Sequence, residues 1–141
     1  MDISVLKNLI RVGLVSSVYP ERATVRVMFS DKDDGGKPLI SKELAVLNRG
    51  SKNRKDYWLP DVDEQVVCLF LPNSNGRGVS EGWVLGTCFS KPDAPQSSSV
   101  DIRRVDFGDG SYVEHNRRTG NITIHATGNI TITGAHIYLN E

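Results

Sequence analysis

The chain has 141 residues, with 17 Lys+Arg against 17 Asp+Glu, 38% hydrophobic and 24% charged residues. That length holds one domain of about 100 residues plus a smaller appendage, and the composition excludes wholesale disorder. The zero formal net charge gives no electrostatic reason to expect nucleic acid or an anionic membrane as partner, and no apolar run approaches the roughly 18 to 20 residues of a membrane helix.

The opening, MDISVLKNLIRVGLV, has an early acid, scattered apolar residues and no small-residue cleavage site, which predicts the absence of a secretory signal. Asp2 caps an expected helix from Ile3 to Ile10, with Val5, Leu6, Leu9 and Ile10 on one face and Gly13 as its stop. Two β-rich runs follow, Val12 to Val18 and Ala23 to Phe29, separated by the turn residues Tyr19-Pro20-Glu21-Arg22. They predict a hairpin in which Val25, Val27 and Phe29 share the dry face.

Ser30 to Lys37, SDKDDGGK, reads as a polar loop. Asp31, Asp33 and Asp34 lack the later bidentate Glu of a calcium loop, so no metal is expected there. Leu44 to Leu47 is a short apolar run, and the loop after it carries Arg49, Lys52, Arg54 and Lys55, the one dense basic patch in the chain. A solvated loop is the ordinary reading of that patch and a partner contact the sharper one.

In YWLPDVDEQVVCLFLP, a turn over Asp61 to Glu64 leads into an apolar run from Val66 to Leu71. A strand apolar at both parities is expected to be buried on both faces and to lie at the centre of the sheet. Trp83 to Phe89 is the closing strand. The expected core comprises Val25, Val27, Phe29, Val66, Cys68, Phe70, Trp83 and Leu85. Both Cys68 and Cys88 sit in apolar runs and read as buried thiols, with no zinc-like spacing. Five short strands at this spacing predict a Greek-key barrel of the OB type over residues 1–89. SKPDAPQSSS, within 90–100, is a Pro/Ser linker.

Residues 101–141 have a different grammar. GNITIHAT (120–127) aligns with GNITITGA (128–135), and HIYLNE begins a third copy. Ile122, Ile124, Ile130, Ile132, Ile137 and Leu139 alternate with polar residues, the pattern of strands with one dry face, and the Gly-Asn pairs suit left-handed corners. Each pass offers two good apolar side chains, about 1.5 to 3 kcal/mol apiece. Ordering eight residues costs roughly 8 to 16 kcal/mol of backbone entropy. Three chains wound about one axis would pool their isoleucines and pair every edge. The expectation is therefore an all-β chain: an OB-type five-stranded barrel followed by a short, intertwined, trimeric triple-stranded β-helix with those six side chains as its core.

In this order, Arg11-Val12-Gly13-Leu14-Val15 with its hairpin, Tyr57-Trp58-Leu59-Pro60-Asp61-Val62 with Glu64-Gln65-Val66, Gly82-Trp83-Val84-Leu85-Gly86, Phe107-Gly108-Asp109-Gly110-Ser111 and the closing repeats resemble the baseplate assembly protein V family. That family forms the central spike of contractile phage tails and phage-tail-like bacteriocins, and the resemblance covers nearly the whole chain. Asp63 stands where the family usually has Gly, and the His-x-His of an iron-binding tip is missing, so neither metal nor cofactor is expected.

The resemblance implies a structural, non-enzymatic role. A homotrimer would be made in the bacterial cytoplasm, assembled onto the baseplate hub at the end of the tail tube, and pushed through the target cell envelope on sheath contraction. With no closing motif in the repeat, a separate tip-capping protein is expected. Arg103 and Arg104, at the joint between base and needle, are candidates to pair with acids of a neighbouring chain. The chief alternative is an OB-fold single-stranded nucleic-acid-binding protein, which the neutral balance and the concentration of aromatics in apolar strands disfavour. An envelope hydrolase using Asp61 and Glu64 is a weaker alternative, because both lie on a tight turn.

Overall fold

Alternating β-branched residues and a tight turn are enough to set up the first hairpin. In a computed structural model of the chain, which describes residues 3–34, 37–76 and 78–140, strand β1 spans Ile10–Tyr19 and β2 spans Thr24–Asp34. They pair antiparallel across a short 3-10 turn, Pro20–Arg22, which closes through Ala23 in the left-handed region at φ 54°. Val25, Val27 and Phe29 all point into the core.

The preceding helix, α1, is shorter than its periodicity suggests. It covers Ile3–Lys7 only. A helix this short gains little from its own hydrogen bonds, and strand pairing takes over at once: the Phe70 N–H donates to the Leu9 carbonyl at 2.7 Å. Gly13 is not a helix stop. It lies in mid-strand, where a Cβ would meet the Met28 carbonyl oxygen at 2.6 Å and the Phe29 ring at 2.8 Å.

The expected polar loop after Phe29 is also corrected. β2 continues through Asp34 and pairs with β3, Lys37–Ile40, which the sequence reading did not foresee. The pairing starts with the apolar pairs Met28–Ile40 and Phe29–Leu39 and, after a register shift, continues through Asp33–Pro38 and Asp34–Lys37, because backbone pairing is indifferent to side-chain polarity. Residues 35 and 36, and the side chains of Asp31, Asp33 and Asp34, lie outside the described parts.

β4 (Leu44–Val46), β5 (Gln65–Pro72) and β6 (Val79–Thr87) complete the N-terminal unit, Met1–Ala94. The hydrogen-bonded order β1-β5-β6-β4-β2 is closed by the β1–β2 pairing into a five-stranded barrel, with β3 on the side of β2. β4 and β6 run parallel, and the other barrel pairs are antiparallel. Closure leaves the five strands without a free edge. Inside lie Val15, Val25, Val27, Phe29, Leu44, Val46, Val66, Cys68, Phe70 and Val84. Phe29 and Phe70 meet edge to face at 5.8 Å, and the Arg11 guanidinium covers the Phe29 ring at 3.9 Å.

Two of the expected core residues are not inside. Trp83 is half-buried and Leu85 is 42% exposed, whereas Gly82 and Val84 face inward. The strand also starts earlier than expected, at Val79, and ends before Cys88 and Phe89, both exposed. Gly82 explains the inversion: a Cβ there would lie 2.6 Å from the Phe70 ring and 2.9 Å from the Leu69 carbonyl oxygen. The inward position is therefore occupied by the ring across the strand pair. β5 differs likewise: Val66, Cys68 and Phe70 are buried, but Leu69 and Leu71 are exposed on the other face.

The second unit, Pro95–Glu141, contains a three-stranded antiparallel sheet in the order β7 (Ile102–Asp106), β8 (Tyr112–Asn116), β9 (Asn121–His125). The first repeat supplies β9. Residues 126–140 carry no strand in the single chain. Of the expected left-handed corners, Gly120 has φ 80°, while Gly128 is not in the left-handed region.

Candidate interaction surfaces

Strand alternation divides the C-terminal sheet into two unlike faces. One carries Arg104, Asp106, Tyr112, Glu114 and His125. Arg104 donates to Asp106 at 2.9 Å and to Glu114 at 3.1 Å, and its guanidinium lies 3.7 Å from the Tyr112 ring centroid. Tyr112 in turn stacks on His125 at 5.3 Å. In the single chain Arg104 thus pairs with two acids of its own sheet. Across the strand ends, Arg117 donates to Asp101 at 2.7 Å.

The turn between β7 and β8 is built by Asp109, whose carboxylate accepts the Ser111 N–H at 2.8 Å. That bond is the main reason its carboxyl titrates below the usual value. Ser111 Oγ also accepts the Thr127 N–H at 3.1 Å, fixing the chain just beyond β9.

The opposite face carries one wholly apolar row beside a mixed one. Val105, Val113 and Ile124 form one row across the three strands, and Arg103, His115 and Ile122 form the next. Phe107 follows immediately beyond β7. All six candidate needle residues, Ile122, Ile124, Ile130, Ile132, Ile137 and Leu139, are between 52% and 81% exposed in the single chain. Sequence reading singled out these six but missed Val105 and Val113. Their signal was the alternation within IRRVD and YVEHN, too short to stand out. His125 lies on the face opposite Ile122 and Ile124. His136 lies beyond the strands, with its ring 6.1 Å from that of Tyr138.

The barrel has a dry flank of its own on the outside. Ile10 pairs with Leu69, and Leu69 with Trp83, while Val12 pairs with Val67. This stripe crosses β1, β5 and β6 and continues through Leu71 and Leu85. Next to Leu85, a hollow of about 300 Å³ is lined by Leu47, Asn48, Arg49, Asp56 and Trp58. Its rim is the basic loop, where Arg49 and Asp56 exchange backbone hydrogen bonds of 3.2 and 2.9 Å. Arg49, Lys52, Arg54 and Lys55 are all exposed. Gly50, at φ 77°, makes the loop possible, since a Cβ would overlap the Arg54 carbonyl oxygen.

Asp61 and Glu64 are occupied in their turn. The Glu64 carboxylate accepts the Asp61 N–H at 2.8 Å, and Glu64 N–H donates to the Asp61 carbonyl at 3.2 Å. Asp63 adopts the left-handed conformation, φ 70°, and its N–H donates to Val15 O at 2.8 Å. Among the described residues, no group of three or more His, Cys, Asp and Glu side chains is placed to hold a metal ion, and no helix is long and apolar enough to cross a membrane. Cys68 is buried and Cys88 exposed, both unpaired; the expectation of two buried thiols thus holds for one.

No protein-family model matches the chain. It is 26% identical over 132 residues to the spike protein of Escherichia phage P2, an alignment covering 92% of this chain and 57% of that protein. The chain therefore spans little more than half the length of the relative it matches.

Proposed function

We propose that this chain is a structural subunit of a phage tail spike, acting as a homotrimer whose C-terminal repeats wind together into a short triple-stranded β-helix. The observation that carries the reading is the uncovered apolar side chains of the C-terminal unit: Val105, Val113, Ile122 and Ile124 on one sheet face, and Ile130, Ile132, Ile137 and Leu139 beyond it, are all exposed to solvent. A three-stranded sheet with one uncovered apolar face is marginal in water. Copies of the same chain supply the cover that the repeat's own periodicity demands. Distant similarity to a phage spike protein supports the same role.

In this reading the barrel, of the OB type, forms the base on the tail hub, and the needle points toward the cell envelope. Contraction of the tail sheath drives it forward. The work is mechanical. It requires a rigid column and no catalytic group, and the Asp61/Glu64 pair serves to shape its turn.

The test is genetic complementation in a strain that produces the particles. Removing the gene should abolish particle function. Wild-type chain and Thr123→Asp, which alters the polar face, should restore it, and Ile124→Asp should not. Full function with Ile124→Asp would overturn the reading.

A further inference from the structure

We propose that the loop after β4 and the hollow at its base form a docking site for an acidic segment of a partner protein, which seats one bulky apolar side chain in the hollow and sets its carboxylates on the loop. Every group in this site belongs to a single chain, so it does not depend on trimerisation.

The loop carries charge that the chain itself does not answer. Arg49, Lys52, Arg54 and Lys55 stand within seven residues, all exposed. Elsewhere such groups are neutralised internally: Arg22 meets Glu21 and Glu43, Arg104 meets Asp106 and Glu114, and Arg117 meets Asp101. Among the described residues, none of the four loop cations forms an ion pair. Like charges this close repel one another, and an acidic partner relieves the repulsion.

The hollow is held in place by hydrogen bonds. Leu47 N–H donates to Val84 O at 3.0 Å, Asn48 Nδ2 donates to Val46 O at 3.1 Å, and Asn48 Oδ1 accepts the Trp58 N–H at 3.0 Å. Both limbs of the loop are therefore fixed before a ligand arrives, which lowers the ordering cost of binding. Leu47, Trp58 and Leu85 wall the hollow and are exposed, a surface that a single aliphatic or aromatic anchor covers.

Asp56, in the same lining, decides between two kinds of acidic partner. A phosphate backbone repels its carboxylate, whereas a peptide backbone brings N–H donors to it. Single-stranded nucleic acid also needs aromatic platforms spaced along the strand faces. Here Tyr57 and Trp58 are adjacent in sequence and precede the turn into β5.

The probe is a fluorescein-labelled peptide, Glu-Asp-Glu-Leu-Asp-Glu-Asp, titrated with the full chain at low salt and followed by anisotropy. A version with Ser in place of Leu and a labelled oligothymidylate are run beside it. Saturable binding of the first peptide is expected. The Leu-to-Ser change, Leu85→Ala, and Lys52→Glu combined with Arg54→Glu should each weaken it at least about fivefold. Leu85→Ala tests the hollow and the double variant tests the loop, so a folding failure of either leaves the other decisive.

Absence of saturable binding overturns the proposal. Equal affinity for the Ser version does so too, because it reduces the loop to non-specific charge. Tighter binding of the oligothymidylate assigns the loop to nucleic acid and overturns it as well. Binding that appears only after Ile124→Asp has separated the chains shows that a second copy fills the hollow, and it overturns the proposal while leaving the trimeric reading intact.

Discussion

Gly82 has no side chain, yet it decides which way β6 faces. Any larger residue there collides with the Phe70 ring and the Leu69 carbonyl, and overpacking of this kind costs about 1 to 3 kcal/mol. Gly82→Ala should therefore lower barrel stability by that amount in urea denaturation. Phe29→Ala should cost more, about 3 to 5 kcal/mol, because it empties the centre of the barrel and leaves Arg11 without the ring it covers. The cysteines provide a chemical check on burial. Desolvation raises the Cys68 thiol to about 11, and no reagent reaches it in the closed barrel, whereas Cys88 is exposed. At pH 8 one thiol per native chain should react with a disulfide reagent, and two in denaturant.

Glu43 adds a pH dependence. Its carboxyl is held below its ordinary value of 4.5, chiefly by the hydrogen bond from Arg22. A carboxyl depressed in the folded state contributes stability above its unfolded pKa and loses it as pH falls through the folded one. The group is fully exposed, so the effect is small. Removing it with Glu43→Gln should flatten the stability curve only below about pH 4.5.

At the level of elements, a strand was legible wherever one parity was apolar and the other polar. β2 is the clear case, with Val25, Val27 and Phe29 assigned inward and found there. β6 misled because its inward parity contains Gly82, while Trp83 and Leu85, the bulky apolar residues, face out. β5 misled more instructively: both parities are apolar, which implies cover on both faces, but a single barrel covers only one. Its outer side chains, Leu69 and Leu71, lie outside the expected core and are exposed, where cover on both faces is the expectation. β3 escaped notice because it is only four residues long, KPLI, with a proline second and no alternation of apolar and polar side chains. The repeat was legible as a repeat, but only its first pass is a strand in the single chain.

This asymmetry yields a sharp test on β9. Ile124 and Thr123 are neighbours on opposite faces. A charge at Ile124 places an unpaired carboxylate in the proposed core, a cost of several kcal/mol repeated in each chain. The same charge at Thr123 stays on the polar face with Arg104 and His125, and standing opposite Glu114 it costs the sheet only about 0.2 to 1 kcal/mol. Ile124→Asp should reduce the particle to monomers in sedimentation, while Thr123→Asp should leave its mass unchanged.

At the scale of the whole molecule, exposed surface is the informative quantity. Surface scaling gives about 7,200 Å² for a compact chain of 15.6 kDa, and roughly 8,600 Å² if its two units are counted separately. The chain exposes 11180 Å². Part of the surplus belongs to residues 126–140, which carry no strand and leave Ile130, Ile132, Ile137 and Leu139 exposed. The surface contains the exposed large hydrophobics of both units, so water is a poor cover for it.

The mass of the purified full chain in solution tests that claim most directly. Light scattering at micromolar concentration should give three times 15.6 kDa, unchanged on dilution. A stable particle of 15.6 kDa would contradict the account, since the isoleucines of the repeat would then face water with nothing to cover them.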